Sequence, residues 1–282
     1  MNPTHSNANP VLEGQGAWYL TRSAALPGNG AALLRLLGVV PTAEDLTAID
    51  IQVATRRVRT GQTLFHEGGH AEAIHFVAVG TFKCLHVAED GYEQVLGFAG
   101  RGEVLGYDAL ASGIHPTTAV ALEDSTVFAV TQAELSALCR SVPAFEHALH
   151  RELSRQLAQR VAIANLMAAV SAEVRLARFL VQLSDRMAES GQSARRLLLR
   201  MSRRDIASHI GVAHETVSRC FGALAQWGCL AVCNRDVEIL DPQRLRDCAR
   251  STRGLAEEQT DLSHAPRRRP LTTSAQRVRL AA

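Results

Sequence analysis

The stretch SRRDIASHIGVAHETVSRCFGALAQWGCLAV, residues 202–232, decides how the C-terminal part of the chain folds. Counted from Arg203, Ala207 is fifth, Gly211 ninth and Val217 fifteenth, with Ile206 and Ile210 apolar between them. A helix-turn-helix requires this spacing. A small residue at Ala207 lets two helices approach, Gly211 can take the positive φ of a tight turn, and Val217 anchors the second helix in the core. With that helix starting near Ala213, its exposed first turns present His214, Glu215, Ser218 and Arg219. Positions 215, 218 and 219 share one face. Arg219 can fork onto guanine O6 and N7, Glu215 can accept from cytosine N4, and Ser218 can meet a base edge or a phosphate. A second reading stands beside this one: Glu215 and Arg219 are four apart and could form a helix-surface ion pair worth a few tenths of a kcal/mol.

Working outward, WGCLAVCNRDVEIL (227–240) alternates and turns at Asn234–Asp236, which reads as a two-stranded wing. Upstream, ESGQSARR is a loop. From Val142 to about Ser190 there is almost no glycine or proline after Pro143. Leu149, Leu153, Leu157, Val161 and Ala164 recur at close to helical spacing among arginines and glutamines. A long helix with so narrow an apolar seam fits a parallel dimer, while packing against its own β domain is the alternative.

From Ile51 to about Val130 short β-branched and aromatic runs alternate with glycine turns, the signature of an all-β sandwich or barrel. Within it, HEGGH (66–70) matches the letters of the zinc-protease motif H-E-x-x-H. That motif works only when a helix sets the two histidines on one face. Gly68 and Gly69 oppose a helix, so the stretch reads as a turn between two strands. The rival reading is a metal- or small-ligand-binding sensor whose helix-turn-helix serves protein contact, or a metal-dependent enzyme using His66 and His70, and nothing else in the chain supports catalysis. Farther upstream, AALLRLLGVV reads as a short helix, and Thr42 can cap a second one with Asp45 three residues later.

Composition sets the frame. The chain has 282 residues, room for two modest domains. No apolar run approaches the roughly 18 residues of a membrane span, and the N-terminus has no secretory pattern. Six dispersed cysteines suit a reducing cytoplasm. Lys83 is the sole lysine, so basic charge is carried by arginine, the better side chain for forked contacts with phosphate and guanine. Residues 173–250 hold 13 arginines against 9 acidic residues, a balance that permits nucleic-acid binding.

A β domain, a long helix and a helix-turn-helix reading HETVSR together resemble the CRP/FNR superfamily of bacterial transcription regulators. The resemblance runs from Ile51 to Cys248 and is closest to the FNR-like branch in TGQTLF (60–65), GYDALASGIHP (106–116), SRRDIASHIGV (202–212) and ETVSR (215–219). It implies an α+β fold: an N-terminal double-stranded β-helix, the β-roll of cyclic-nucleotide-binding domains, then a long dimerisation helix and a C-terminal winged helix-turn-helix. It implies a homodimeric regulator, not an enzyme, with double-stranded DNA and RNA polymerase as partners. In that branch E-x-x-S-R reads a half-site of TTGAT type, which assigns base contacts to Glu215, Ser218 and Arg219. His214, Thr216 and Arg203 complete the expected DNA-facing set.

Departures from the family matter as much. Oxygen-sensing members hold an iron–sulfur cluster on N-terminal cysteines plus one in the β-roll, whereas this chain has no cysteine before Cys84, and Phe128 stands at the β-roll position. Cyclic-AMP members use a glutamate after the glycine turn and an Arg-Ser pair on the phosphate. Here Tyr107 and Asp108 follow Gly106, and Thr117-Thr118 replace the pair. Neither a family-type cluster nor cyclic AMP is therefore expected, and the effector stays open. Cys229 and Cys233, with Cys220, could report oxidation or simply be structural. His147 and His150 could ligate haem or be a solvated pair. The expected division is an arm over 1–30, the β-roll over 31–141, the dimerisation helix over 142–172, the winged helix-turn-helix over 173–250 and a tail over 251–282 with PRRRP.

Overall fold

The computed structural model describes residues 29–43, 45, 53–167 and 171–251. The sequence readings of the N-terminal arm and of the PRRRP tail lie outside the described residues. The chain divides into two compact units, one of residues 1–84 and 98–153, the other of residues 85–97 and 154–282.

The β-rich part of the chain is built on two four-stranded sheets. One has the order β1-β8-β3-β6, from β1 (Ala54–Val58), β8 (Ser125–Thr131), β3 (Ala73–Val79) and β6 (Val104–Leu105). The other runs β2-β7-β4-β5, from β2 (Thr63–Phe65), β7 (Thr118–Ala121), β4 (Phe82–Val87) and β5 (Glu93–Ala99). Neighbours such as β1 and β8 are far apart in sequence, as a roll of sheet demands. Val58, Leu64, Phe65, Val77, Phe82, Leu105, Ala119 and Val127 form one buried cluster. Ile74, Phe76, Val104, Phe128 and Val130 form a second with residues of the helices α1 (Asn29–Leu36), α2 (Gln132–Ser141) and α3 (Pro143–Met167), among them Leu33, Leu138 and Phe145. Along β3, period-two alternation sends Val77 to the first cluster and Ile74 and Phe76 to the second. His75, in phase with Val77, is buried with its Nδ1 unpaired. His115 is buried too, stacked on Phe65 at 3.8 Å between ring centroids, with its Nδ1 also unpaired.

The HEGGH stretch is the turn between β2 and β3. Gly68 sits at φ 76°, Gly69 N–H donates to the His66 carbonyl at 3.1 Å, and His70 bridges to Ile114. The two histidines therefore never share a helical face. Thr42 and Asp45 form the reciprocal cap, with N–H of Thr42 on Asp45 Oδ2 at 2.8 Å and N–H of Asp45 on Thr42 Oγ1 at 3.1 Å. Among the described residues no helix is long and apolar enough to cross a membrane.

In the second unit α4 (Ala172–Glu189) packs against α5 (Arg203–Ile210), α6 (His214–Gln226) and α7 (Pro242–Arg250). A small antiparallel sheet of order β10-β11-β9 closes it, from β10 (Leu230–Cys233), β11 (Asp236–Ile239) and β9 (Arg196–Leu198). The wing is thus three-stranded, where the sequence reading had two. The third strand pairs Leu197 with Val237 across forty residues, and no local turn signal announces so distant a partner. The segment 85–97 belongs to this unit as well. Ser208 Oγ donates to the Glu93 carbonyl and accepts from the Val95 N–H, both at 2.9 Å. His209 Nδ1 lies 3.4 Å from the Val95 carbonyl, its ring edge-on to Phe179.

Candidate nucleic-acid interface

α5 begins at a capping box: Ser202 Oγ accepts from the N–H of Asp205 at 3.1 Å while Asp205 Oδ2 accepts from the N–H of Ser202 at 2.9 Å. It ends at Gly211, whose φ of 67° and ψ of 47° lie in the left-handed region that a side chain disfavours. N–H of Val212 then returns to the Ala207 carbonyl at 3.0 Å, closing the turn. From α4, Arg175 Nη1 donates to the carbonyls of Ile210 (3.3 Å) and Gly211 (3.1 Å), satisfying acceptors that α5 leaves open at its end. Ala207, Ile206, Ile210 and Val217 are all buried. Each residue of the quoted spacing therefore does the job that spacing implies.

α6 starts after Ala213. Val217, Cys220, Phe221 and Leu224 form its buried stripe, while His214, Glu215, Ser218 and Arg219 are exposed and Thr216 is half-buried. Glu215, Ser218 and Arg219 come together on one face free of the unit's own core. Glu215 and Arg219 form no ion pair here. Arg219 Nη2 instead approaches Thr216 Oγ1 at 3.5 Å, one turn back. The guanidinium and the carboxylate are thus separately available at the helix surface.

Arg203 lies elsewhere. Its guanidinium carbon stands 3.5 Å above the centre of the Phe221 ring, and Nη2 donates at 3.0 Å to the carbonyl of Asn234 in the wing turn. Nothing in the sequence pattern pairs these residues, which are separated by 18 and 31 positions.

Other candidates fare variously. Cys220 and Cys229 are buried and Cys233 is exposed, all three as free thiols. Burial pushes the Cys220 thiol up to about 11, away from the thiolate that oxidation chemistry needs. His147 and His150 are both exposed on α3. Among the described residues no group of three or more His, Cys, Asp or Glu is placed to hold a metal.

A charged, exposed face on the second helix of a winged helix-turn-helix defines a DNA-binding module, and its combination with a β-roll defines a class of transcription regulators. Family models agree with this geometry. Residues 174–248 match the Crp-like helix-turn-helix domain and residues 55–142 the cyclic nucleotide-binding domain. The fumarate and nitrate reduction regulatory protein of Escherichia coli K12 is 35% identical over 199 residues, covering 71% of this chain and 80% of that protein. Its counterpart from Klebsiella oxytoca is 34% identical over the same share. FixK2 from Bradyrhizobium japonicum superposes with a TM-score of 0.62 at 26% identity, over 70% of this chain and 97% of that one. A CooA variant from Carboxydothermus hydrogenoformans shares the fold, with a TM-score of 0.61 at 21% identity, over 77% of this chain and 95% of that one. The chain belongs to the CRP/FNR family of DNA-binding transcription regulators. It is a regulator and not an enzyme.

The cyclic nucleotide that the β-roll model's name implies does not fit the residues present. Where the family resemblance puts the phosphate stand Thr117 and Thr118, and the Thr118 hydroxyl already accepts from the N–H of Glu67 at 2.9 Å. The inward Arg56 donates Nη1 to the Leu64 carbonyl at 2.9 Å. Neither threonine offers the forked guanidinium that a phosphate would take.

Proposed function

We propose that this regulator binds, as a homodimer, a palindrome with TTGAT-like half-sites and controls the initiation of transcription. The observation that carries the reading is the exposed trio Glu215, Ser218 and Arg219 on the first turns of α6. In this reading Arg219 forks onto guanine O6 and N7, Glu215 accepts from cytosine N4, and Ser218 meets the neighbouring base edge. His214 and Thr216 flank them at the groove wall, and Arg203 supports the same interface from α5. RNA polymerase is the partner downstream of DNA binding. The β-roll contacts it or receives a signal of its own, relayed through α3.

The dimer reading is supported by α3, whose Leu157 and Val161, four residues apart, are 67% and 59% exposed. Two such side chains on one helical seam favour a parallel partner helix. A symmetric pair would set two recognition helices roughly 34 Å apart, one turn of duplex.

Fluorescence anisotropy tests this with the untagged full-length protein on a labelled TTGAT-N4-ATCAA duplex and on a scrambled one, at near-physiological salt. Selective binding of the first duplex is expected. Equal affinity for both would overturn the half-site assignment, and selection from random DNA would then define the sequence read.

A further inference from the structure

Arg203 occupies the first turn of α5, where a basic side chain beside DNA would ordinarily serve as a phosphate anchor. Its geometry is unlike that of an anchor. The flat guanidinium lies 3.5 Å over the Phe221 ring of α6, Nη2 donates to the Asn234 carbonyl at 3.0 Å, and Nη1 is buried with no partner. Phe221 is itself in the core, on the helix that carries Ser218 and Arg219. Asn234 has a positive φ of 54° and opens the two-residue turn between Cys233 and Asp236. The far side of that turn is held by the N–H of Leu199, which donates to the Arg235 carbonyl at 2.9 Å. One side chain thus touches the recognition helix through its π face and the wing through a charged hydrogen bond. Arginine can do both at once because its fork is planar and weakly hydrated, whereas the compact, strongly hydrated lysine ammonium cannot lie flat on the ring while reaching the carbonyl.

We propose that Arg203 is a positioning residue, which locks the wing turn to the recognition helix so that both meet the duplex in one fixed relation. This rests on α6 being the recognition helix. The wing's own strands fix the pairing of Cys233 with Asp236 but not the lean of the turn toward α6. The Phe221–Arg203–Asn234 contact ties the turn to α6. The acceptor is a backbone carbonyl, so the lock depends on the shape of the turn more than on the side chain at 234.

The test compares Arg203→Lys, Arg203→Gln, Phe221→Leu and the double variant R203K/F221L in the full-length protein. In the DNA-free protein, amide chemical shifts and hydrogen exchange are followed at 233–236. For binding, affinity on the selected duplex is measured across a salt series. A lock predicts that R203K behaves like R203Q, although it keeps the charge. Both move the wing-turn amide signals, speed exchange there about tenfold and weaken binding about tenfold. R203K leaves the salt slope unchanged, and the double variant is no weaker than the worse single one, because the two changes break one contact. The proposal is overturned if R203K keeps wild-type wing signals and affinity while R203Q lowers the salt slope by about one, the mark of a phosphate anchor. It is equally overturned if R203K and F221L add fully. Should the wild type bind no duplex selectively, the functional reading fails by itself, and the wing-turn amides of the free protein still decide the lock.

Discussion

Val217 and Arg219 are two positions apart on α6 and face opposite demands: one is fully buried in the core, the other open to solvent. Arg219→Ala should remove about 1–3 kcal/mol of discrimination at a single guanine while leaving thermal stability within about 0.5 kcal/mol. Anisotropy against duplexes altered one base pair at a time reads this directly. Equal losses at every position would reduce Arg219 to a phosphate contact. A second prediction at this scale concerns two buried imidazoles. Burial lowers His75 to about 3 and His209 to about 4. In the unfolded chain each would take its proton near the ordinary value of about 6.5. On acidification the unfolded state is therefore protonated first, and stability falls as pH drops from about 6.5 toward 4. Each residue should take on the order of 1 kcal/mol per pH unit across that window. Thermal melts at pH 7, 6 and 5 check it, and His75→Phe should flatten the slope by about half. His115, also lowered by burial, adds to the same trend.

The turn between α5 and α6 rests on Gly211. An alanine there would hold a left-handed φ that costs about 1–2 kcal/mol, and its Cβ would stand 2.5 Å from Met167 Cε. The Met167 methyl is the exposed end of a flexible side chain and can swing aside, so Gly211→Ala should destabilise the second unit by about 1–2 kcal/mol, seen as an earlier transition in denaturant, with DNA affinity falling in step. Elements differ in how far the sequence reveals them. The helix-turn-helix was legible because Ala207, Gly211 and Val217 act within fifteen residues and each position has a distinct steric demand. The capping pair Ser202 and Asp205 is equally local. β9 was not legible: RLL carries no periodicity, and its membership in the wing is settled by Val237, forty residues on. The same holds for Arg203, whose partners depend on tertiary proximity. The sequence suggests a DNA-facing arginine, and only the packed helices reveal the ring beneath it. The ion pair between Glu215 and Arg219, an open alternative by spacing alone, does not form, because Arg219 turns toward Thr216 instead.

For the whole molecule the seam of α3 is decisive. Leu157 and Val161 are large, apolar and uncovered, one turn apart on one helical face, the face the proposed dimer would cover. On the proposed dimer, Leu157→Arg combined with Val161→Glu should shift the protein to monomer in sedimentation velocity and weaken binding of the proposed duplex by about tenfold or more. The monomer keeps one half-site's contacts and loses the benefit of a second, linked one. Family models place the helix-turn-helix at residues 174–248, yet the compact unit that contains it also includes 85–97. A fragment cut at that boundary discards the strand whose Val95 N–H and Glu93 carbonyl occupy the Ser208 hydroxyl. It also strips the backbone acceptor from His209 and opens that flank of α5 to water. A proteolytic cut between 85 and 97 would therefore release the backbone groups that engage Ser208, more than one hundred residues away in sequence.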